Sequence, residues 1–362
     1  MRTIIHFMGM TSTKFGGLEK FMIELIKANR DCIFVLVYDS YPKSEEYAHL
    51  LCKYNVKIEI VPFNTFSIAN QFKGYYSIVK KYCPEIIHFH FLSNDIGVIV
   101  ARLCGVKKTY KTVHSCLSYN NKPIESVHQL GFRERVKSLG GLIIRMYTKI
   151  LFVSEYTMNQ YIQIYGKLSS YVVIYLGVNK LSLESTKEIT IPKHKKVITS
   201  ILFSHPMKGA DVLLKALRWV DDIILLLIGL DDSQYTETLR KLAATLGIED
   251  KIKWVGIVDN VSDYLTITDI YVQPSRTEAL SLAACEALSL GIPVVGSNVG
   301  GLPEVASLLF ESEDSRQLAN ILNTILSDNQ TYKALSLESI DRFNAKFRIN
   351  ESVSQYKSIY DV

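Results

Sequence analysis

Short apolar runs alternate with amphipathic segments along almost the whole chain. In the first half the apolar runs lie at residues 3–10, 32–39, 56–63, 86–91, 107–114, 149–155 and 171–178. Amphipathic segments stand between several of these runs, at residues 18–30, 96–106 and 156–166. Apolar runs of this length are typical of strands buried on both faces, and the amphipathic segments are typical of helices. The alternation predicts an α/β fold with a doubly wound sheet of mostly parallel strands.

A polar stretch without periodicity, residues 179–194, interrupts the pattern and predicts a linker. After it, strands are predicted at residues 197–203, 223–229, 252–258 and 269–274, with helices at 209–220, 236–247 and 261–268. Next come a helix from about Leu280 to Leu290, a strand at Val294 and Val295, and helices from near residues 314 and 332. A chain of 362 residues suits two domains. We predict domains at 1–178 and 179–346, followed by an amphipathic segment at 347–362.

The composition indicates a globular protein, with 48% hydrophobic and 21% charged residues. The longest apolar run, residues 223–230, is far shorter than the ~20 residues that span a bilayer. Residues 1–10 lack the cleavage site of a signal peptide. The six cysteines stand singly among apolar neighbours, which favours reduced thiols over disulfides or zinc. We therefore expect a cytoplasmic protein.

Charge is distributed unevenly between the two halves. Residues 1–178 hold 22 Lys and Arg against 12 Asp and Glu (+10), and the remainder hold 19 against 24 (−5). Part of this charge lies near residues 131–149, where basic and apolar residues mingle; they are Arg133, Arg135, Lys137, Arg145 and Lys149, with Leu139, Leu142, Ile143, Ile144 and Met146, opposed only by Glu134. The sequence has no basic stripe interleaved with aromatic residues, the pattern that would indicate nucleic-acid binding. We expect attachment to the anionic inner face of the cell membrane, or else a basic helix whose apolar side packs on the sheet.

Two carboxylates stand eight residues apart at the predicted strand–loop–helix junction, Glu278 in the loop and Glu286 on the helix. The loop feeds a helix, so the N–H groups of Ala279, Leu280 and Ser281 are available for a phosphate. Eight helical residues rise about 12 Å, whereas the carboxyls of a retaining glycosidase stand about 5 Å apart. The pair therefore suits two parts of an elongated ligand. The alternative is a capping Glu278 and a solvated Glu286.

The stretch from residue 274 to 305, with its E-x7-E spacing, G-I-P-V-V and G-G-L-P-E, resembles a known family. This family is the retaining, GT-B-fold, nucleotide-sugar-dependent glycosyltransferases of family 4, also called group 1, typified by bacterial capsule and lipopolysaccharide enzymes. The resemblance implies two Rossmann-like domains facing across a cleft, with the acceptor on the first and the nucleotide-sugar on the second. It also implies that the C-terminal segment crosses back to the first domain.

Matches in the first half support the resemblance. Gly16 and Gly17, followed by Glu19, are similar to the family's GGxE loop, and two glycines permit close approach to a ligand and positive φ. A dinucleotide site is the alternative, with Asp39 as a ribose ligand, but the G-x-G-x-x-G spacing is absent. His114 corresponds to a T-x-H histidine that lies over the donor sugar; its alternative is a hydrogen-bonded loop residue. His88 and His90 alternate on an apolar strand and are predicted to be core residues.

The second half contains a match and several departures. Lys208 with Gly209 resembles the family's K-G, which places a cation against a diphosphate. The Arg that the family has five residues earlier is Phe203 here, and His205 is the nearest polar substitute. Near the hinge, Leu176 replaces the family's Asn or Pro. The segment after Glu304 also lacks the usual glycine-rich insertion.

The resemblance implies sugar transfer with retention of anomeric configuration, without a cofactor. His114, Lys208 and Glu278 would be catalytic. Donor contacts would come from Gly16, Gly17, His205, Lys208, Glu278, Ala279, Leu280, Ser281 and Glu286. No Asp-x-Asp occurs, so we predict no required metal.

We favour a UDP-sugar over a GDP-sugar as donor, and a glycan or lipid-linked acceptor in capsule, O-antigen or exopolysaccharide synthesis. An epimerase of the same fold and a catalytically silent partner subunit are the alternatives.

Overall fold

The structure, a computed structural model, describes residues 1–11, 14–63, 67–91, 95–119, 122–123, 142–182 and 189–361. The chain forms two compact units, one of Met1–Leu176 with Ile349–Val362 and the other of Gly177–Arg348. These divisions lie two residues from the predicted boundaries at 178 and 346.

The first unit is built on a seven-stranded parallel sheet in the order β3-β2-β1-β4-β5-β8-β9. Its strands are β1 (Arg2–Phe7), β2 (Cys32–Tyr38), β3 (Lys57–Ile60), β4 (Ile86–Phe89), β5 (Lys108–Val113), β8 (Lys149–Phe152) and β9 (Tyr171–Val173). A short antiparallel hairpin, β6 (Ser118–Tyr119) and β7 (Lys122–Pro123), follows β5. The helices are α1 (Gly17–Ala28), α2 (Glu45–Lys53), α3 (Ile68–Tyr82), α4 (Ile96–Leu103) and α5 (Glu155–Tyr165). Of these, α2 and α3 were not predicted.

The second unit has a six-stranded parallel sheet in the order β12-β11-β10-β13-β14-β15. Its strands are β10 (Lys196–Ile201), β11 (Ile223–Ile228), β12 (Ile252–Gly256), β13 (Ile270–Gln273), β14 (Val294–Ser297) and β15 (Leu308–Phe310). Its helices are α6 (Ala210–Ala216), α7 (Gln234–Leu246), α8 (Ser262–Leu265), α9 (Leu282–Ser289), α10 (Ser315–Ser327) and α11 (Asn329–Lys346). Short 3₁₀ turns occur at Pro206–Lys208, Leu217–Trp219, Glu249–Lys251 and Leu302–Glu304.

The last helix, α12 (Ile349–Asp361), belongs to the first unit, where it packs against α1. Its buried residues include Val353, Tyr356 and Tyr360. Arg2 on β1 holds the helix end by donating to the Tyr360 carbonyl at 3.0 Å and to the Asp361 carboxylate at 2.7 Å. The predicted amphipathic segment is therefore a helix that completes the first sheet's cover.

Both sheets have the strand order of a Rossmann fold, in which the order reverses between the first and fourth strands. The predicted α/β class, with two Rossmann-like units, is confirmed. Open sheets of this kind bind ligands outside the carboxyl ends of the strands at the reversal. In the first sheet that point lies between β1 and β4, and in the second between β10 and β13. Within the described ranges, no helix combines the length and the apolar character needed to cross a membrane.

Candidate functional site

The residues predicted to bind a phosphate lie at the strand-order reversal of the second sheet. The loop after β10 carries Phe203, His205 and Lys208, and the loop after β13 leads through Glu278 to α9. Since β10 and β13 are neighbours in the sheet, their carboxyl ends bring these two loops together. The Arg276 N–H donates to the Met207 carbonyl at 2.8 Å, which ties one loop to the other.

Gly209 permits this close approach. Its φ is +67°, in the left-handed region, and a Cβ placed on it would stand 1.8 Å from the Pro274 carbonyl oxygen. No side chain fits there, because the obstructing atom belongs to the backbone of the neighbouring loop. Gly209 is thus required for Lys208 to reach the loop after β13.

Replacing Gly209 with alanine is expected to destabilise the second unit by about 3 kcal/mol, since a left-handed backbone and a backbone clash add together. Gly247→Ala is the matched control, because Gly247 has φ +64° and nothing within 4 Å of its added Cβ. It should cost only about 1 kcal/mol. Thermal melts of both variants measure the difference. Equal melting temperatures for the two variants would show that the approach to Pro274 is not constrained.

Lys208 and Glu278 form an ion pair at the centre of the site. Their Nζ and Oε2 atoms are 2.7 Å apart, and the side chains are only 16% and 13% exposed. The Lys208 ammonium also lies 4.6 Å from the centroid of the Phe203 ring, a cation–π distance. Partial burial makes this pair stronger than a surface pair. The structure therefore brings together two residues that the sequence places 70 positions apart.

A series of buried polar side chains positions Glu278. Tyr271 donates to the Gln273 Oε1 atom at 2.8 Å, and the Gln273 amide donates to Ser275 at 2.9 Å. The Ser275 hydroxyl in turn donates to the Glu278 carboxylate at 3.3 Å. Tyr271, Gln273 and Ser275 were not predicted as site residues; the polar Gln and Ser at the end of an otherwise apolar strand were the available signal.

The helix that follows begins later than predicted, at Leu282 instead of Leu280. Ser281 is its N-cap, and the Ser281 hydroxyl accepts from the Ala284 N–H at 3.3 Å while donating to Gln273 at 3.0 Å. The helix begins after Ser281 because the serine N-cap stabilises that start more than including the apolar Leu280 in the helix would. Ala279 and Leu280 are therefore loop residues, and both are buried.

A second glycine lets another backbone segment approach Glu278. Gly300 has φ +58°, and a Cβ there would stand 1.9 Å from the Glu278 carbonyl oxygen. The adjacent Gly301 N–H donates to that carbonyl at 2.8 Å. The G-G of the predicted motif thus fixes the Glu278 backbone.

Glu286 lies on α9 and is buried, so the alternative of a solvated helical face is wrong. Glu286 also takes part in an interaction within the protein. A carboxylate buried near the β10–β13 reversal is a potential acceptor for ligand hydroxyls.

The predicted residues of the first unit lie at the carboxyl edge of its own sheet. Gly16 is the N-cap of α1, and its N–H donates to the Glu19 carboxylate at 3.0 Å. Neither Gly16 nor Gly17 has a positive φ, so the left-handed conformation that glycine permits is not adopted here. The φ of Gly16 is −93°, an extended conformation.

His114 follows β5 and is partly exposed. Its ring stacks on Phe91 with centroids 4.4 Å apart, and its Nε2 lies 2.9 Å from the Nδ1 of His90. Burial lowers the pKa of His114 to about 3, so the ring is neutral near pH 7. The predictions that His88 and His90 are core residues are confirmed, since both are buried.

Two family models match the chain and together span most of it. Residues 183–341 match "Glycosyl transferases group 1", and residues 15–180 match "Glycosyltransferase Family 4". The chain belongs to the group 1 glycosyltransferases. The predicted resemblance is confirmed.

Two curated relatives of this chain illustrate the range of the family. It is 29% identical over 182 residues to N-acetyl-alpha-D-glucosaminyl L-malate synthase of Bacillus anthracis, covering 48% of the chain and 47% of that protein. It is 24% identical over 301 residues to D-inositol 3-phosphate glycosyltransferase of Corynebacterium efficiens, covering 76% of the chain and 70% of that protein. The chain thus spans about half the length of the first relative.

A solved structure confirms the GT-B fold. Anabaena HepE, determined in complex with UDP and glucose, superposes with a TM-score of 0.79 at 18% identity, covering 100% of both chains. At 18% identity, this similarity is evidence of a shared fold alone.

The chain departs from the family's pattern around Phe203. The His205 Nδ1 atom accepts from the Met207 N–H at 3.2 Å, so a neutral His205 has its proton on Nε2 and remains a donor. Arg276 does not take the place of the missing Arg, because its guanidinium is bound by Asp211 at 2.9 Å and by Glu313 at 2.5 Å. The hydrogen bond with Asp211 raises the pKa of Arg276. Among these residues, Lys208 is the cation that lies beside Glu278.

Proposed function

We propose that the chain transfers a sugar from a nucleoside diphosphate-sugar to an acceptor hydroxyl with retention of anomeric configuration. The observation that supports this most is the Lys208–Glu278 pair, held at the reversal of the second sheet next to the N-terminus of α9. This arrangement offers a cation for a diphosphate and a carboxylate for sugar hydroxyls. Family membership supports the same reaction class.

In this proposal the diphosphate, where negative charge develops, is stabilised by Lys208 and by backbone N–H groups near Ala279–Ser281. Glu286 accepts hydrogen bonds from the ribose hydroxyls, and Glu278 accepts them from the transferred sugar. The bond between the anomeric carbon and the diphosphate breaks while the acceptor oxygen bonds to the same face of that carbon. The acceptor's proton passes to the departing diphosphate, so no protein nucleophile is needed.

His114 at the edge of the first sheet is assigned to the donor sugar, and Gly16 and Gly17 to donor binding. His205 is a candidate second contact for the diphosphate through its Nε2–H. No divalent cation is required in this proposal, since Lys208 supplies the positive charge. In metal-dependent sugar transferases, a divalent cation held by oxygen ligands supplies the positive charge at the diphosphate.

We propose a UDP-sugar as donor, and capsule, O-antigen or exopolysaccharide synthesis as the setting. The Anabaena structure that shares the fold was determined with UDP and glucose. The acceptor would be a glycan or a lipid-linked saccharide.

A panel of nucleotide-sugars separates this function from its alternatives. A transferase slowly hydrolyses one donor and releases the sugar, whereas an epimerase converts the donor without net release, and a silent subunit leaves the panel unchanged. We expect hydrolysis that persists in excess EDTA. Loss of all activity in EDTA with recovery in Mg²⁺ would contradict the metal-independent mechanism, and an unchanged panel would contradict the function.

Docking of the first unit on an anionic membrane remains our proposal, with a corrected surface. Residues Arg133, Glu134, Arg135, Lys137 and Leu139 lie outside the described residues. Of the apolar residues that follow, Leu142 is 61% exposed, but Ile144 is buried, and Ile143 and Met146 pack against the same core. Ile143, Ile144 and Met146 therefore cannot form an interfacial face, because they pack on the sheet as the alternative predicted.

Helix α3 offers a better surface for such docking. Ile68, Phe72 and Tyr76 lie on one helical stripe and are 70%, 37% and 47% exposed. The exposed side chains of Lys73 and Lys80 flank this stripe, and the Lys80 Nζ atom lies 5.6 Å from the Tyr76 ring. An exposed apolar stripe with basic neighbours has the chemistry of an interfacial helix.

Cosedimentation with vesicles tests this surface. We expect binding to phosphatidylglycerol vesicles at low salt, weaker binding at high salt, and little binding to phosphatidylcholine. A Phe72→Ser, Tyr76→Ser double variant should lose most of the binding, whereas Leu337→Ser, at a 66% exposed position of the second unit, should retain it. Equal binding by the two variants would exclude α3, and no binding by the wild type would favour a soluble acceptor.

A further inference from the structure

Four of the chain's eight histidines lie on one face of the first sheet. His6 on β1 is the register partner of His88 on β4, and His88 is the partner of Tyr110 on β5. Side chains alternate between the two faces of a strand, so His90 shares the face of His88, and His114 shares the face of Tyr110. Helix α12 covers this face with Tyr356 and Tyr360, which are one helical turn apart.

Hydrogen bonds connect these residues without a break from α12 to His114; we call them the histidine series. The contacts are Tyr356 with Thr112 at 3.0 Å, Thr112 with His88 at 2.7 Å, His88 with Tyr360 at 2.7 Å, Tyr360 with His6 at 3.4 Å, His6 with His90 at 2.9 Å, and His90 with His114 at 2.9 Å. Each histidine inside the series uses both ring nitrogens.

The four imidazole rings are neutral near pH 7. Burial lowers the pKa of His6 and of His114 to about 3, and it holds those of His88 and His90 well below the ordinary value. A neutral imidazole has one N–H donor and one acceptor nitrogen. If the Thr112 or the Tyr360 hydroxyl accepted from both of its neighbours, its own hydrogen would be buried without an acceptor in the series. The hydrogen bonds therefore run in the same direction.

The two directions are not equivalent at the Tyr356 end. If the series runs toward His114, the Tyr356 hydroxyl donates to Thr112, and the one hydrogen without an acceptor in the series is on Nδ1 of the partly exposed His114. If it runs the other way, Tyr356 accepts from Thr112, and its own hydrogen has no acceptor among the residues that the structure describes. Tyr356 is only 1% exposed, so water does not replace that acceptor. An unpaired buried donor disfavours the second direction by about tenfold or more.

A shared metal ion does not explain the cluster as well. Ligand nitrogens of His6, His88 and His90 lie within 4.8 Å of one another. However, both ring nitrogens of each of the three residues already take part in hydrogen bonds of the series, at 2.7 to 3.4 Å. Each ring has one lone pair and one hydrogen, and both are used, so no lone pair is left for a metal.

We propose that the histidine series holds His114 in its Nδ1–H tautomer, so that the ring presents a hydrogen-bond donor at the carboxyl edge of the first sheet. With the Nε2 atom of His114 accepting from His90, the proton of the neutral ring resides on Nδ1. This Nδ1 has no hydrogen-bond partner within the described part of the chain. Given the proposed function, the His114 Nδ1–H group donates a hydrogen bond to an oxygen of the transferred sugar. Tyr360, His6 and His90 are thus positioning residues, and α12 acts on the site through them.

Imidazole ¹H–¹⁵N correlation spectra of the full chain at pH 7, without substrate, test the tautomer directly. The wild type should show a protonated Nδ1 and an unprotonated Nε2 at His114. Tyr360→Phe removes the hydroxyl that joins His88 to His6, and both His114 tautomers should then be populated. Thr112→Val, which removes the donor to His88, should have the same effect through a different break.

Tyr110→Phe is the matched control. The Tyr110 hydroxyl also contacts α12, donating to the Ile359 carbonyl at 3.0 Å, but it stands outside the series. This variant should keep the wild-type tautomer. A wild-type His114 protonated on Nε2, or a tautomer unchanged by both breaks, would overturn the proposal. The spectra are recorded without a nucleotide-sugar, so they do not depend on the proposed function. The proposed tautomer in a chain that processes no nucleotide-sugar would refute the proposed function and leave the inference about His114 standing.

Discussion

Lys208→Ala is expected to lower turnover of the donor about 10²–10³-fold, because the charge that develops on the departing diphosphate loses its main cation. Lys208→Arg should lose much less, since it keeps the charge near the same place. Steady-state rates of donor hydrolysis, or of transfer once an acceptor is found, measure both variants.

Lys215→Ala is the control for the loss of positive charge. Lys215 lies on α6 and pairs with Asp211 at 3.1 Å, an ion pair that does not include Glu278. Its replacement should leave turnover within about twofold, because a partly exposed ion pair contributes little. Equal losses in the Lys208 and Lys215 variants would show that net charge matters and that the position of Lys208 does not.

Glu286→Ala is expected to weaken binding of the nucleoside diphosphate about 100-fold. Two hydrogen bonds to a charged acceptor contribute about 3 kcal/mol, which corresponds to roughly that factor. Glu286→Gln keeps the shape of the buried side chain and should lose less. Calorimetric titration gives the affinities, and thermal melts show whether each variant is folded.

Glu338→Ala is the control for Glu286, since Glu338 on α11 pairs only at the surface with Arg342 at 2.5 Å. Its affinity should equal that of the wild type. Full affinity in a folded Glu286→Ala variant would refute the assignment of Glu286 to the ribose.

The regular part of the fold was predictable because parallel strands buried on both faces are nearly uninterrupted apolar runs. Ile223–Ile228 on β11 is one example, and it is almost wholly buried. Helices α2 and α3 escaped prediction for the opposite reason. On α2, Tyr47 and Leu51 are the buried residues, and on α3 the exposed Phe72 and Tyr76 obscure the buried stripe.

The spacing of Glu278 and Glu286 indicated the site, but the groups that hold Glu278 in place come from segments distant in sequence. Lys208 reaches it only because β10 and β13 are neighbours, and the sequence does not state strand order. The predicted start of α9 was two residues too early. The apolar pattern favoured a start at Leu280, whereas the hydrogen bond that the Ser281 side chain accepts makes Ser281 the N-cap and Leu282 the first helical residue. The histidine series needed the same knowledge of neighbours, with three strands and the last helix in place.

Hydrogen–deuterium exchange of the full chain, with and without saturating nucleoside diphosphate, tests most directly whether the reversal of the second sheet binds the donor. We expect protection concentrated in residues 203–211 and 274–289, and a clear reduction of that protection in Lys208→Ala. Saturating binding that leaves both segments unchanged and protects other parts of the chain would contradict it.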